Sequence, residues 1–182
     1  MATVPAIPLL SADDYLNRSF EHDVEFVDGL LVERGMPTPA HSLLQAIVVE
    51  HLRQHRKAFG YGVFPECRVE LIKRSRYRIP DVLIAGVPLP TGPVLTEAPL
   101  AVVEIWSPDD RIGPQLARFR EYWARGVRNV VILHPEDFIA LRYENGALIE
   151  GALKHLQMED GRKIPFDSDA MLAELREELS RI

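Results

Sequence analysis

The chain predicts an α/β (or α+β) fold, a mixed β-sheet flanked by helices in one domain over residues 1–182. Three observations carry this. Runs rich in Val, Ile and Leu alternate with helical stretches in the order helix, strands, helix, strands. Hydrophobic residues make up 47% of the 182, enough for a full core in one unit. No repeat, biased segment or long linker divides the sequence.

Residues 1–10 read as an extended arm. "SADDYLNR" then predicts a short helix, with Ser11 as N-cap and Asp14 at the capping-box position. "VEFVDGLLVE" predicts an N-terminal hairpin, because two β-rich runs flank Asp28-Gly29, a dipeptide suited to a type I′ turn. The strongest helix is "TPAHSLLQAIVVEHLRQHRKAFG". Thr38 can cap it, Pro39 fits its first turn, Gly60 can close it, and Leu43, Leu44, Ile47, Val48 and Leu52 form one apolar face. Strands are expected near 62–72, 78–85 and 99–106, the last two joined by the Pro- and Gly-rich "GVPLPTGP". "PQLARFREYWARG" is helical, with Leu116, Phe119 and Trp123 toward a core. "VRNVVILHP" and "DFIALRYENGALIEG" supply three more strands, two of them joined at Asn145-Gly146. "SDAMLAELREELSRI" closes the sequence as an amphipathic helix capped by Ser168.

The net charge of -6 argues against an indiscriminate nucleic-acid coat but leaves room for a locally basic site. A single cysteine, Cys67, forms no internal disulfide and fits a half-buried position, so the expected compartment is the cytoplasm. No run approaches the roughly 18 apolar residues of a membrane span, and no membrane association is expected.

Two acids interrupt apolar strands: Asp81 in "RIPDVLIAG" and Glu104 in "LAVVEIWSPDD". Strand alternation puts Asp81, Leu83 and Ala85 on one face, and Val102, Glu104 and Trp106 on one face of the other strand. If the strands are neighbours, the two carboxylates converge at one end of the sheet. Such a pair raises its own pKa values unless a cation lies between, and oxygen ligands suit Mg²⁺ or Mn²⁺ better than zinc. The ordinary alternative is a turn cap at Asp81 and a Glu104 paired with an arginine such as Arg78. His51 and His55 have ligand spacing on a helix, but no His-Glu-x-x-His motif surrounds them, and they read as solvent-facing.

Pro80-Asp81 followed by Glu104 on the next strand resembles the PD-(D/E)xK nuclease superfamily. With "VEFVDGLLVE", "PTPAHSLLQAIVVEHL" and "REYWARGVRNVVILHP" in the same order, the chain is similar to the Uma2 family over about residues 11–135. The resemblance implies a restriction-endonuclease-like core, a divalent metal (Mg²⁺ or Mn²⁺) and hydrolysis of DNA. It implies a metal held by Asp81, Glu104 and the carbonyl of Ile105, with Glu25 and His41 near the site. His41 by itself reads equally as a packing or capping residue, and Glu25 as an exposed hairpin charge.

The superfamily lysine two residues after the acid is replaced by Trp106, and a substitute lysine four residues before Tyr122 is replaced by Arg118. Arginine carries charge but accepts no proton. This departure admits a second reading, a catalytically weakened member that binds nucleic acid or protein. Arg111, Arg118 and Arg125 recur every seven residues as a candidate basic stripe, with Arg111 ahead of the helix at Gly113-Pro114, although Arg125 reads better as a solvated residue paired with Glu121. Because nuclease-like folds often pair two sites to cut both strands, a homodimer is expected.

Overall fold

The computed structural model describes residues 9–107 and 110–181, so the expected arm at 1–10 falls outside it up to residue 8. Ser11 caps α1 (Ala12–Asn17): its Oγ accepts the Asp14 N–H at 3.0 Å and donates to the Asp14 carboxylate at 2.6 Å. The expected hairpin is β1 (Val24–Val27) and β2 (Leu30–Glu33). Asp28 and Gly29 join them at φ 51° and 91°, the two positive values that a type I′ turn requires. Tyr15 of α1 stacks on Phe26 of β1 at 5.1 Å and donates its hydroxyl to the Val24 carbonyl, which anchors the hairpin. α2 (Pro39–Phe59) starts where Thr38 Oγ1 accepts the His41 N–H and stops at left-handed Gly60. Leu44, Ile47, Val48 and Leu52 are buried on its inner face, and Leu43 is half-buried.

The single strand expected at 62–72 is two strands in different sheets, β3 (Tyr61–Pro65) and β4 (Val69–Ile72). Glu66, at φ 50°, turns the chain between them. The run at 78–85 is likewise divided. β5 (Arg76–Arg78) ends before Ile79-Pro80, and β6 (Val82–Gly86) begins after Asp81. Pro80 has no N–H for a ladder, so the chain leaves one sheet there and enters another. β7 (Ala101–Ile105), α3 (Ile112–Arg125) and β8 (Asn129–His134) follow. They form the one parallel pair among the described strands, with the helix as its crossover. β9 (Ile139–Glu144) and β10 (Ala147–Glu150) turn at Asn145-Gly146, as expected.

Where one mixed sheet was expected, the described residues form three. Four strands pair in the order β2-β1-β5-β4, and six in the order β10-β9-β8-β7-β6-β3. The third sheet, β11 (His155–Gln157) with β12 (Lys163–Pro165), has no counterpart in the sequence reading, being only three residues per strand. α4 (Ser168–Ser180) is capped by Asp167, which accepts the Ala170 N–H. Ser168 is instead wholly buried in the first turn and accepts the Leu153 N–H at 2.9 Å.

Helices cover both faces of the six-stranded sheet. On one, Leu44, Val48 and Leu52 of α2 and Met171, Leu172 and Leu175 of α4 meet Val82, Ile84, Val103, Ile105 and Val131. On the other, Phe119 and Tyr122 of α3 meet Leu83, Ala85, Val102, Val130 and Ile132. Burial of each such Leu, Ile or Val contributes about 1.5–3 kcal/mol. This core fixes the strand ends, and the charged groups there inherit its rigidity. No helix among the described residues is long and apolar enough to cross a membrane.

Candidate active site

Asp81 lies in the passage between the two large sheets. Its carbonyl accepts the Glu66 N–H at 3.1 Å and Gln45 Nε2 at 2.9 Å, which pins the backbone just before β6. The antiparallel register pairs Val82 with Val103 and Leu83 with Val102, so the next step sets Asp81 opposite Glu104. Their proximity comes from this register together with the strand alternation seen in the sequence. Both acids are buried, at 3% and 4% exposure.

Every carboxylate oxygen of the pair has a donor. Asp81 Oδ1 accepts Arg34 Nη2 at 2.5 Å, and Oδ2 accepts the Ile105 N–H at 2.6 Å, with His41 Nε2 3.4 Å away. Glu104 Oε1 accepts the Tyr122 hydroxyl at 2.6 Å, and Oε2 accepts Arg118 Nη1 at 3.4 Å. Arg118 reaches from α3 to a second acid, Glu25 of β1, at 2.9 Å. Glu25 is fully buried and also accepts Arg78 Nη1 at 2.8 Å and the Ile79 N–H at 3.0 Å. Arg78 continues to Glu121 at 2.8 Å. The buried charges are thus a set in two hydrogen-bonded parts, Asp81 with Arg34 and His41, and Glu104 with Arg118, Glu25, Arg78 and Glu121, and in the second Glu25 bridges the hairpin sheet to α3.

All five side chains expected at the site, Glu25, His41, Asp81, Glu104 and Arg118, belong to this set or touch it. Several pairings differ from expectation. Arg78 binds Glu25 and Glu121 rather than Glu104. Arg125 donates to the Glu70 and Thr96 carbonyls rather than to Glu121. With Arg118 engaged by two buried acids, the three arginines do not form an open basic stripe. His51, expected in solvent, is half-buried and lies 2.8 Å from Glu174 of α4. Cys67 is half-buried as expected. The acids of "SPDD" begin as a turn in which Ser107 N–H donates to Asp110 at 2.8 Å, while 108–109 lie outside the described residues.

Sequence reasoning missed Arg34, Arg78's true partners, Glu121 and Tyr122. Tyr122 had a readable signal: it lies four residues after Arg118, one turn along the same helix face. Arg34 had none, because it follows a strand on which all four residues are exposed.

The surroundings drive the two acids apart in acidity. Burial opposes ionisation of Asp81, yet the His41 hydrogen bond and charge, Arg34 and the Ile105 N–H outweigh it, and its carboxyl titrates below the usual value. Burial pushes Glu104 up to about 7; Arg118 offsets part of this, while the charge of Asp81 adds to it. For His41, burial works against the cation, but the Asp81 carboxylate prevails and raises its pKa. Its Nδ1 is buried without a hydrogen-bond partner among the described residues.

A mixed sheet between helices, with two buried acids close together at the meeting of β6 and β7, defines an α/β protein with a candidate acidic site. The chain belongs to the Uma2 family: residues 12–164 match the family model, which is described as "Putative restriction endonuclease". It is also similar in fold to a crystal structure from Anabaena variabilis ATCC 29413, described as "a putative nuclease belonging to DUF820". That likeness has a TM-score of 0.75 at 16% identity, over 91% of this chain and 99% of the other. Among curated proteins, none matches the chain significantly.

Proposed function

We propose that the protein is a metal-dependent endonuclease that hydrolyses phosphodiester bonds in DNA, with Mg²⁺ or Mn²⁺ held by Asp81, Glu104 and the carbonyl of Ile105. The observation that carries this is the register that sets Asp81 opposite Glu104, both buried, at the end of an apolar sheet. The donor set fits the ion. An ionised carboxylate has about four acceptor positions. Glu104 uses two of them and keeps room for a cation, whereas Asp81 uses three if His41 is counted, with Arg34 on Oδ1 where an ion would sit. Among the described residues no group of three or more His, Cys, Asp or Glu converges as a cage.

Bound there, the ion supplies positive charge to the phosphoryl transition state and makes a nearby water more acidic. The chain's own groups do the rest. Arg118 orients Glu104 and contributes charge toward a phosphate, but it accepts no proton. Glu25 is a positioning residue that holds Arg118 and Arg78 together. Tyr122 fixes the Glu104 carboxylate from the other side. His41 orients Asp81 and stabilises its ionised form.

The test combines metal binding with cleavage. Mn²⁺ is expected to raise the melting temperature by ligand linkage and to support DNA cleavage, and Asp81→Asn is expected to remove both effects. Equal stabilisation of wild type and Asp81→Asn by Mn²⁺ refutes the site.

One observation favours a second reading, that of a weakened member acting as a binding module for nucleic acid or protein. Arg118, where the family carries a lysine, is bound to two acids, and Trp106 occupies the other lysine position. Metal binding without cleavage of single-stranded, duplex or branched DNA supports that reading.

A further inference from the structure

Of the guanidinium groups in the buried charge set, Arg34 is placed differently. Arg118 is held between Glu25 and Glu104, and Arg78 between Glu25 and Glu121, all of them buried or nearly so. Arg34 also lies between two acids, but only one is buried. Its Nη2 is 2.5 Å from Asp81 Oδ1, and its Nη1 is 3.4 Å from Glu66, whose side chain is 44% exposed. It projects from the segment after β2, where no buried apolar neighbour precedes it, whereas Arg118 and Arg78 rise from a packed helix and a central strand.

We infer that Arg34 is an internal counter-ion that occupies Asp81 until a divalent cation replaces it, and that it then retreats to Glu66. This rests on the metal reading above. Asp81 is buried, a carboxylate there needs a cation beside it, and Arg34 at 2.5 Å supplies one when no metal is bound. A guanidinium and a divalent ion on one carboxylate repel strongly at a few ångströms, so the two compete for Oδ1. Glu66 lies within reach and near solvent, and its charge makes the displaced position favourable. The metal affinity of this protein is thus set partly by a side chain that is not a ligand.

The experiment is calorimetric titration of Mn²⁺ into the chelator-treated full chain, without nucleic acid. Arg34→Gln removes the competitor and is expected to tighten Mn²⁺ binding about tenfold. Glu66→Gln leaves Arg34 with Asp81 alone and is expected to weaken binding about threefold. In the double variant, the Glu66 change is expected to matter much less, because its effect passes through Arg34. If wild type binds Mn²⁺ and Arg34→Gln binds no more tightly, the inference is overturned and the metal site stands. If neither binds, the metal reading itself fails and this inference with it. If Arg34→Gln does not fold, Glu66→Gln decides on the exposed side: unchanged affinity there overturns the inference.

Discussion

Glu104 makes the protein's stability depend on pH in a direction opposite to that of an ordinary paired acid. Its folded pKa, about 7, lies above the value of 4.5 expected for a free glutamate. The folded state therefore binds this proton more tightly than the unfolded state does. The stability it contributes is fully present below the unfolded pKa and is lost as pH rises through the folded one. Glu104→Gln keeps the shape, can still accept the Tyr122 hydroxyl and cannot ionise. Relative to wild type, it is expected to gain about 2–3 kcal/mol between pH 5 and pH 8, in order of magnitude from the size of the shift at 1.36 kcal/mol per unit. The assay is urea denaturation of both proteins at the two pH values with a chelator present, analysed by linear extrapolation. Because the charge of Asp81 adds to the shift of Glu104, the difference reports position 104 together with its coupling to Asp81. A stability gap that is constant with pH, or that moves in favour of wild type as pH rises, refutes the placement of Glu104 in a desolvated, like-charged setting.

Arg118→Ala is expected to lower stability by about 3–5 kcal/mol, because it removes the cation paired with Glu104 and leaves Glu25 with Arg78 alone; the same denaturation assay measures it. Arg118→Lys is expected to retain most of the stability and to match or exceed wild-type cleavage in single-turnover assays with Mn²⁺, since lysine keeps the charge and can accept a proton. A homodimer is expected from the pairing of two sites across a duplex, and light scattering at tens of micromolar that gives only the monomer mass rejects it.

The secondary elements with strong local signals were legible. Ser11, Asp28-Gly29, Thr38 and Gly60 each bring chemistry that fixes a cap or turn without help from the rest of the chain. The two acids were legible because a carboxylate in an apolar run is conspicuous, and alternation fixed which neighbours share its face. What could not be read was the partition of strands among sheets. β3 and β4 form one continuous run in the sequence, and only Glu66 at positive φ diverts the second into another sheet. The partners of Arg78 and Arg125 were beyond reach for a related reason: long cations span several candidate acids, and sheet topology selects among them. Ser168 lost the cap to Asp167 because the Leu153 N–H, fifteen residues earlier, claimed its hydroxyl.

The bridge at Glu25 has a consequence for the newborn chain. Glu25 and its partner Arg118 are 93 residues apart. At ribosomal speeds of roughly 5–20 residues per second, about 5 to 20 seconds separate their emergence. During that interval the hairpin carries an acid whose burial is uncompensated from the α3 side, and Glu104 on β7 waits for the same helix. The charge set of this site is thus incomplete in the nascent protein until its last partners emerge. It becomes available only when the segment that ends at Arg125 has left the exit tunnel and docked.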